Sequence, residues 1–403
     1  MLRVCPEDCK GRNEGPEPRH FREKCGYADA PPLRSPAATA PPSSPASAAS
    51  SAPPVASVAP SGPPGRVKVS GAGLGVVVNA NAKRGGRRIA VELGRALPGA
   101  RVRLTRSADE LDAYLRSLLR DGEPRPRCIL AAGGDGTAIA LVNALRRVLP
   151  EDEPYPAIGL LPLGTGNAWA HAAGALKLGL AVRQLRDHAS AVPTRRFGLI
   201  ECEGILTTFA GCGWDAEVLN DYRAQVEAAK GPSRRLAKTV YGYLSAMVLR
   251  TVPKTLVNGR PTVLVENLGP TVHRVDAGGR VVLMDGVGRG SVLYEGPSGV
   301  AGCATCPEFG YQFRAYPFAE RMPGAFNIRI FETPPLEAVR SIPRLWRGDR
   351  VRGMHDWFAT EVRMTFSRPV PLQIAGDAVG FRQSVDYRMH PRHIDVLDWR
   401  AMG

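Results

Sequence analysis

Two short apolar runs, Cys128–Ala132 and Ala157–Leu161, each end in a glycine-rich turn and give way to a helical pattern. The first turn reads Gly133-Gly134-Asp135-Gly136-Thr137 and the second Pro162-Leu163-Gly164-Thr165-Gly166-Asn167. A strand that stops in a glycine turn and restarts as a helix is the βα unit of an open parallel sheet, and ligands bind at that edge of such sheets. Glycines let the backbone approach a polyphosphate and aim its amides at it, and the following helix adds its positive end. A single copy of such a turn is equally well a tight bend with an aspartate cap. Two on adjacent strands make a cradle.

The residues around them fit the same frame. Leu74–Val78 reads as a first buried strand, Ile89–Leu97 as a helix, Arg101–Thr105 as a second strand, and Ala108–Arg120 as a helix with Leu111, Leu115, Leu118 and Leu119 on one face. The expectation is an α/β domain over residues 66–194, with a helix opening at Thr137. From Arg195 short strands alternate with tight turns, as around Glu203-Gly204, so residues 195–403 are expected to form a β-rich, sandwich-like domain whose last strand, His393–Trp399, returns to the first. A helical stretch from about Ala216 to Arg250 interrupts it. Its later half places Leu236, Val240, Leu244, Met247 and Val248 on one face, with Arg234, Arg235 and Lys238 near its start. Such a helix packs on the second sheet or touches a membrane. Residues 1–65 are rich in Ala, Pro and Ser and read as a disordered extension. Cys5, Cys9, His20 and Cys25 within it match no standard zinc spacing.

Composition narrows the partners. The net charge is +15, and only 8 of 53 basic residues are Lys, so the positive surface is mostly guanidinium, the better fork for phosphate oxygens. Neither zinc-finger spacing nor the aromatic-basic interleaving of an RNA-binding sheet is present, and no nucleic-acid partner is expected. The start of the chain has no apolar stretch of a secretory signal and no run of 18 apolar residues occurs, so the expectation is a cytoplasmic protein, peripheral to the inner face of a membrane. The 8 cysteines then belong to a reducing compartment, and Cys303 and Cys306 read as core or loop thiols rather than a metal or redox pair. No Lys follows a Gly, which excludes a Walker A loop, and no His precedes a Glu, which excludes an HExxH zinc site.

AAGGDGTAIALVNAL followed by LPLGTGNAWA resembles the diacylglycerol kinase catalytic domain, the lipid kinase family that includes sphingosine and ceramide kinases. GGDGT alone also occurs in nicotinamide dinucleotide kinases, but the downstream LPLGTGN points to the lipid branch. The resemblance implies transfer of the γ-phosphate of ATP, with Mg²⁺, to the hydroxyl of diacylglycerol or a similar lipid, at a surface of anionic phospholipid headgroups. It places Asn79 and Thr105 beside the nucleotide, makes Gly133, Gly134, Asp135, Gly136 and Thr137 the phosphate loop, and completes it with Gly164, Thr165 and Asn167. Asp135 would handle Mg²⁺, orient the loop or accept the proton of the attacking hydroxyl. Phe209–Ala216 resembles the family's lipid-side segment, so Asp215 orients the lipid head group or else caps a helix opening at Ala216.

The chain also departs from the pattern. Ile139 and Ala140 stand where relatives often carry Asn-Glu, and Met322-Pro323-Gly324 replaces the acidic residues that bind a structural Mg²⁺, an ion expected to be absent. Where the family has Asp-Gly-Glu this chain has Ala375-Gly376-Asp377, so the first Asp, the family's base, is missing. Asp377 is the first substitute and Asp135 the second. The competing readings are a nicotinamide dinucleotide kinase and a catalytically weak lipid-binding pseudokinase.

Overall fold

The computed structural model describes residues 65–69, 73–82, 86–121, 125–164, 167–187 and 191–402. The Ala/Pro/Ser-rich extension, its cysteines and Thr165 lie outside them. The first half of the described chain contains strands β1 (Arg66–Val67), β2 (Leu74–Asn79), β3 (Arg101–Thr105), β4 (Cys128–Gly133), β5 (Ala157–Pro162) and β6 (Val192–Phe197). Between them run helices α1 (Gly86–Ala96), α2 (Ala108–Arg120), α3 (Asp135–Val148), α4 (Ala168–Ala172) and α5 (Leu178–Asp187). The bounds of α2 follow from its chemistry. Ser107 accepts the amide of Glu110, Glu110 reaches back to the amide of Arg106, and the four leucines of its apolar stripe are buried.

The second half is built from antiparallel strands β7 (Ile200–Cys202), β8 (Ile205–Thr207), β9 (Phe209–Gly213), β10 (Thr262–Asn267), β11 (His273–Val275), β12 (Val281–Leu283), β13 (Val292–Pro297), β14 (Val300–Ala304), β15 (Phe326–Phe331), β16 (Met354–Ala359), β17 (Glu361–Ile374) and β18 (Asp377–Met389). They join in one 12-stranded sheet. The long strand β17 holds it together, pairing with β10 through Val362–Phe366, slipping register between Thr365 and Val370, and then pairing with β9 through Leu372–Ile374. A bulge of this kind bends a strand so that one ribbon can serve two directions of the sheet. Its inner face is apolar, with Val263, Val265, Ile328, Met364, Leu372 and Ile374 buried.

Strand β19 (Ile394–Leu397) leaves this sheet and enters the first one. The resulting order is β1-β6-β19-β5-β4-β2-β3. β2 to β5 and β19 are mutually parallel, as the alternating pattern predicts, while β6 runs antiparallel to both its neighbours, β19 and the edge strand β1, so the sheet is mixed rather than wholly parallel. Because the chain goes from β2 outward to β3 and returns on the other side to β4, the topological switch falls between β2 and β4. That is where a crevice opens outside the strand ends. The two halves are also stitched by Asn143 of α3, buried, which donates to the carbonyls of Ile139 and Leu206 and accepts the Leu206 amide. Leaving such a group unpaired costs about 1–3 kcal/mol.

The helical insertion differs from the single amphipathic helix expected. It comprises α6 (Trp214–Ala228), α7 (Gly231–Ala237), α8 (Val240–Ala246), a π-helical turn (Met247–Thr251) and α9 (Val252–Asn258). Gly231, at φ +56°, redirects the chain between α6 and α7, and Thr239 opens α8 from extended backbone. Leu236 therefore lies on a separate helix and is exposed, whereas Leu244 and Met247 face inward, so the five residues do not share one face. Thr251 donates to buried Asp221 of α6 and Lys254 pairs with the same carboxylate, which anchors the π turn. Helices α10 (Pro335–Arg340) and α11 (Ile342–Arg347) complete the second half. Among the described residues no helix is long and apolar enough to cross a membrane. All five described cysteines, Cys303 and Cys306 included, are buried free thiols whose pKa values are pushed up by burial.

Candidate active site

The two glycine turns touch. A Cβ on Gly164 would lie 2.5 Å from the Cα of Gly134, and one on Gly133 would strike the Thr137 side chain at 2.1 Å, so neither position has room for a larger residue. The amides of Leu163 and Gly164 both donate to the carbonyl of Gly133, at 2.8 and 3.2 Å. Asn167, in the left-handed region at φ 50°, folds its side chain back, accepting the Gly164 amide at 3.1 Å and donating to the Gly164 carbonyl at 3.0 Å. The described residues of the two turns thus pack together at the ends of β4 and β5.

Asp135 fastens it. Its carboxylate accepts the amides of Ala168 at 2.7 Å and Trp169 at 3.1 Å, satisfying the first turn of α4 from a neighbouring element. Burial raises the Asp135 carboxyl above its ordinary range while these two amides and His171 pull it down. Asn79, at the end of β2, donates to the Thr137 hydroxyl at 3.0 Å and so ties the first strand to the first turn of α3. Thr105 is buried beside it, paired in register with Asn79. Helix α3 begins at Asp135, two residues before the expected Thr137, so Asp135 and Gly136 occupy its first turn, where amides have no intrahelical acceptor. Gly136 itself is exposed to the cleft.

Opposite this helix start stands the tip of the β17–β18 hairpin. Ile374 pairs with Asp377 across a two-residue connection, Ala375-Gly376, with φ of 52° and 81°. Two positive φ values in a two-residue hairpin loop define a type I′ turn, whose usual residues are Asn-Gly or Asp-Gly. Alanine at the first position pays the left-handed penalty, on the order of 1–2 kcal/mol. The tip places Asp377 against the first glycine turn, its Oδ2 4.0 Å from where a Cβ on Gly136 would be. Arg223 of α6 holds it there, donating to Asp377 Oδ1 at 2.6 Å and to the Gly376 carbonyl at 3.1 Å. One carboxylate oxygen is clamped and the other faces the helix start.

Asp215 lies on the other side of the tip. Gln373 accepts the Gly376 amide at 2.8 Å and donates to Asp215 Oδ2 at 3.0 Å, and Asp215 Oδ1 accepts the Ala216 amide. Asp215 is not the cap of a helix opening at Ala216, because α6 opens at Trp214 from Gly213, whose φ of 95° suits glycine. Burial raises the Asp215 carboxyl to about 6, against the opposing pull of Gln373 and the Ala216 amide. It sits in the wall of a cavity of about 140 Å³ that is otherwise almost wholly apolar, with Val218, Leu244, Met247, Phe313 and Trp346 among its lining. The buried Tyr316 hydroxyl in the same wall has no hydrogen-bond partner among the described residues. A larger cavity of about 390 Å³, bounded by Arg195, Arg196, His390, His393 and the Met322–Gly324 loop, includes none of the residues of the two glycine turns.

The expected residues therefore converge: Asn79, Thr105, Gly133, Gly134, Asp135, Gly136, Thr137, Gly164 and Asn167 line one sheet edge, Asp377 faces it, and Asp215 connects to Asp377 through Gln373. Arg223 and Gln373 are additions. Neither carries a motif, and only the partner each one clamps distinguishes it from an ordinary helix arginine or strand glutamine.

Residues 74–195 match the family model of the diacylglycerol kinase catalytic domain, and this segment of the chain belongs to that family. The matched segment holds both glycine turns, while Asp215, Arg223, Gln373 and Asp377 lie beyond it. Among curated proteins, a probable lipid kinase YegS-like of Pseudomonas fluorescens is 37% identical over 118 residues, 29% of this chain and 36% of that protein. The probable lipid kinase YegS of Salmonella newport is 39% identical over 87 residues, 20% of this chain and 27% of that protein. The eye-specific diacylglycerol kinase of Drosophila melanogaster is 50% identical over 46 residues, 11% of this chain and 3% of that protein. The chain thus spans well under two thirds of the length of these relatives. In fold, a diacylglycerol kinase from Bacillus anthracis str. Sterne superposes with a TM-score of 0.54 at 14% identity, covering 82% of this chain and 98% of that one. At that identity the likeness concerns architecture, which here extends across both halves.

Proposed function

We propose that this chain is a lipid kinase that transfers the γ-phosphate of ATP to the hydroxyl of diacylglycerol or a similar lipid, giving phosphatidic acid or its analogue. The observation that carries the reading is the hairpin tip. It joins a phosphate-type loop on one side, through Asp377 and Gly136, to an apolar cavity with a single carboxylate in its wall on the other, through Gln373 and Asp215. A greasy acceptor with a polar head fits the second feature, and a soluble dinucleotide acceptor does not.

In this reading the first-turn amides of α3 and the stacked glycines receive the triphosphate, and Asn79 fixes the Thr137 hydroxyl beside it. Asp135 is a positioning residue, since both its oxygens already accept amides of α4. Among the described residues no cluster of three acidic, His or Cys side chains forms a metal cage. Mg²⁺ would be carried on the phosphates and would neutralise charge that develops on them. Asp215 holds the lipid head group. The lipid hydroxyl oxygen bonds to the γ-phosphorus as the bond from phosphorus to the bridging oxygen breaks. ADP leaves and the hydroxyl proton passes to Asp377, so the base stands two residues beyond the position Ala375 occupies.

The test is transfer of labelled phosphate from ATP with Mg²⁺ to a panel of lipids in mixed micelles, with nicotinamide dinucleotide as an additional acceptor. A labelled lipid whose formation falls by about 10²–10⁴ in Asp377→Asn, with ATP still bound, supports the assignment. Transfer only to the dinucleotide, or ATP binding with no transfer to anything, would replace it with one of the competing readings.

A further inference from the structure

From Ala228 to Val265 the chain has no Asp or Glu, and between Lys230 and Arg260 it carries seven basic residues, Lys230, Arg234, Arg235, Lys238, Arg250, Lys254 and Arg260. No purely structural need of α7 to α9 explains that asymmetry. Lys254 is consumed by Asp221, but Lys230, Arg234, Lys238 and Arg250 are exposed and have no acidic partner among the described residues. On the same element large apolar side chains face outward. Tyr241 is 72% exposed, Leu249 71% and Val257 84%, and Leu236 and Leu256 are also exposed.

The spacing is what makes these a surface. Tyr241, Leu249 and Val257 are each eight residues apart on a helix that runs unbroken from Val240 to Asn258, and the π turn supplies the extra residue beyond two ordinary α turns. All three therefore lie along the outer side. The inner side of the same helix, Tyr243, Leu244, Met247, Thr251 and Val252, lines the apolar cavity that contains Asp215. The helix is a wall with an apolar face on both sides, which no packing against the second sheet requires.

We infer that α7 to α9 seat this protein on an anionic lipid bilayer, with Tyr241, Leu249 and Val257 inserted at the acyl boundary and Lys230, Arg234, Lys238 and Arg250 on the headgroups. An exposed apolar stripe in a stretch of chain that carries exposed cations and no carboxylate matches the layered chemistry of a bilayer surface, apolar below and anionic above. A nucleic acid would match the cations and leave the leucines in water. The inference deepens the lipid-kinase reading, because the helix that would touch the bilayer is the outer wall of the cavity assigned to the lipid. The docking surface itself stands on exposure and charge.

The full chain should float with phosphatidylcholine vesicles containing phosphatidylserine, bind vesicles of phosphatidylcholine alone weakly, and dissociate from the former as salt rises. Leu249→Glu with Val257→Glu is expected to weaken vesicle binding roughly tenfold or more. Arg234→Glu with Lys238→Glu is expected to weaken binding to the anionic vesicles by roughly thirtyfold while leaving the weak binding to neutral ones unchanged. All four substitutions are at exposed positions, and unchanged thermal melting identifies variants that remain folded. Phosphorylation of a diacylglycerol with chains short enough to dissolve as monomers should survive in both double variants. Absence of wild-type vesicle binding, or binding indifferent to both double variants, overturns the docking surface. Patch-dependent vesicle binding without phosphorylation of any lipid would keep the docking surface and discard the kinase reading, so the two fail separately.

Discussion

The glycine-turn side and the apolar side of the cleft are made by different means. The glycine-turn side is almost entirely backbone: glycines in contact, amides at a helix start, and side chains such as Asn167 and Asp135 whose role is to hold main chain in place. The apolar side is almost entirely side chain, drawn from α6, α8, the π turn, α10, α11 and the strands between, with Val218 and Trp346 separated by well over a hundred residues in the chain. A backbone site tolerates no added atom, whereas a side-chain site can be retuned one residue at a time.

The comparison breaks most sharply at Gly164. In Gly164→Ala the new Cβ meets the backbone of Gly134, which cannot move without dragging β4, so the overpacking should cost about 1–3 kcal/mol in a denaturant titration and reduce ATP binding. A variant that bound ATP normally would show that the two turns are not a rigid unit.

Asp215 sharpens the other side. Its folded-state carboxyl lies near 6, above the ordinary 3.8, so the folded chain holds a proton that the unfolded chain releases between those values. Stability from this group is present below about pH 4, declines as pH rises through 6, and is flat above. Asp215→Asn should remove that slope and stabilise the protein by about 1–2 kcal/mol at neutral pH, seen as melting temperature against pH. It should also raise KM for the lipid with little change in that for ATP. An undiminished slope in the variant would assign it to another group.

The smallest effect is expected at the hairpin tip between the two sides. Ala375→Asn places a residue suited to the left-handed region at the first position of the type I′ turn and should stabilise by about 1 kcal/mol. Since Arg223 rather than residue 375 holds Asp377, transfer activity should barely move.

The same division explains what the sequence disclosed. Both glycine turns, the strands behind them and the bounds of α2 were legible, because backbone approach demands glycine and an amphipathic helix demands its period. The departure at Ala375 was legible too. That Asp377 is turned toward Gly136 was not, because it depends on Arg223, an arginine within a helix like many others. The antiparallel edge of the first sheet and the breaks in the helical insertion were missed for a related reason. Both are settled by partners distant in the chain, β19 for the edge and Asp221 for the π turn, and no local pattern encodes them.

Strand β19 carries a consequence for biosynthesis. It lies between β5 and β6 in the first sheet although more than 190 residues separate it from either, measured from Phe197 to Ile394. A nascent chain that has emerged through β6 still lacks the strand that joins β6 to the rest of the first sheet, leaving two open edges available to other chains. The first half therefore cannot close until the second has been translated, so a chain interrupted before Ile394 would present an unfinished sheet.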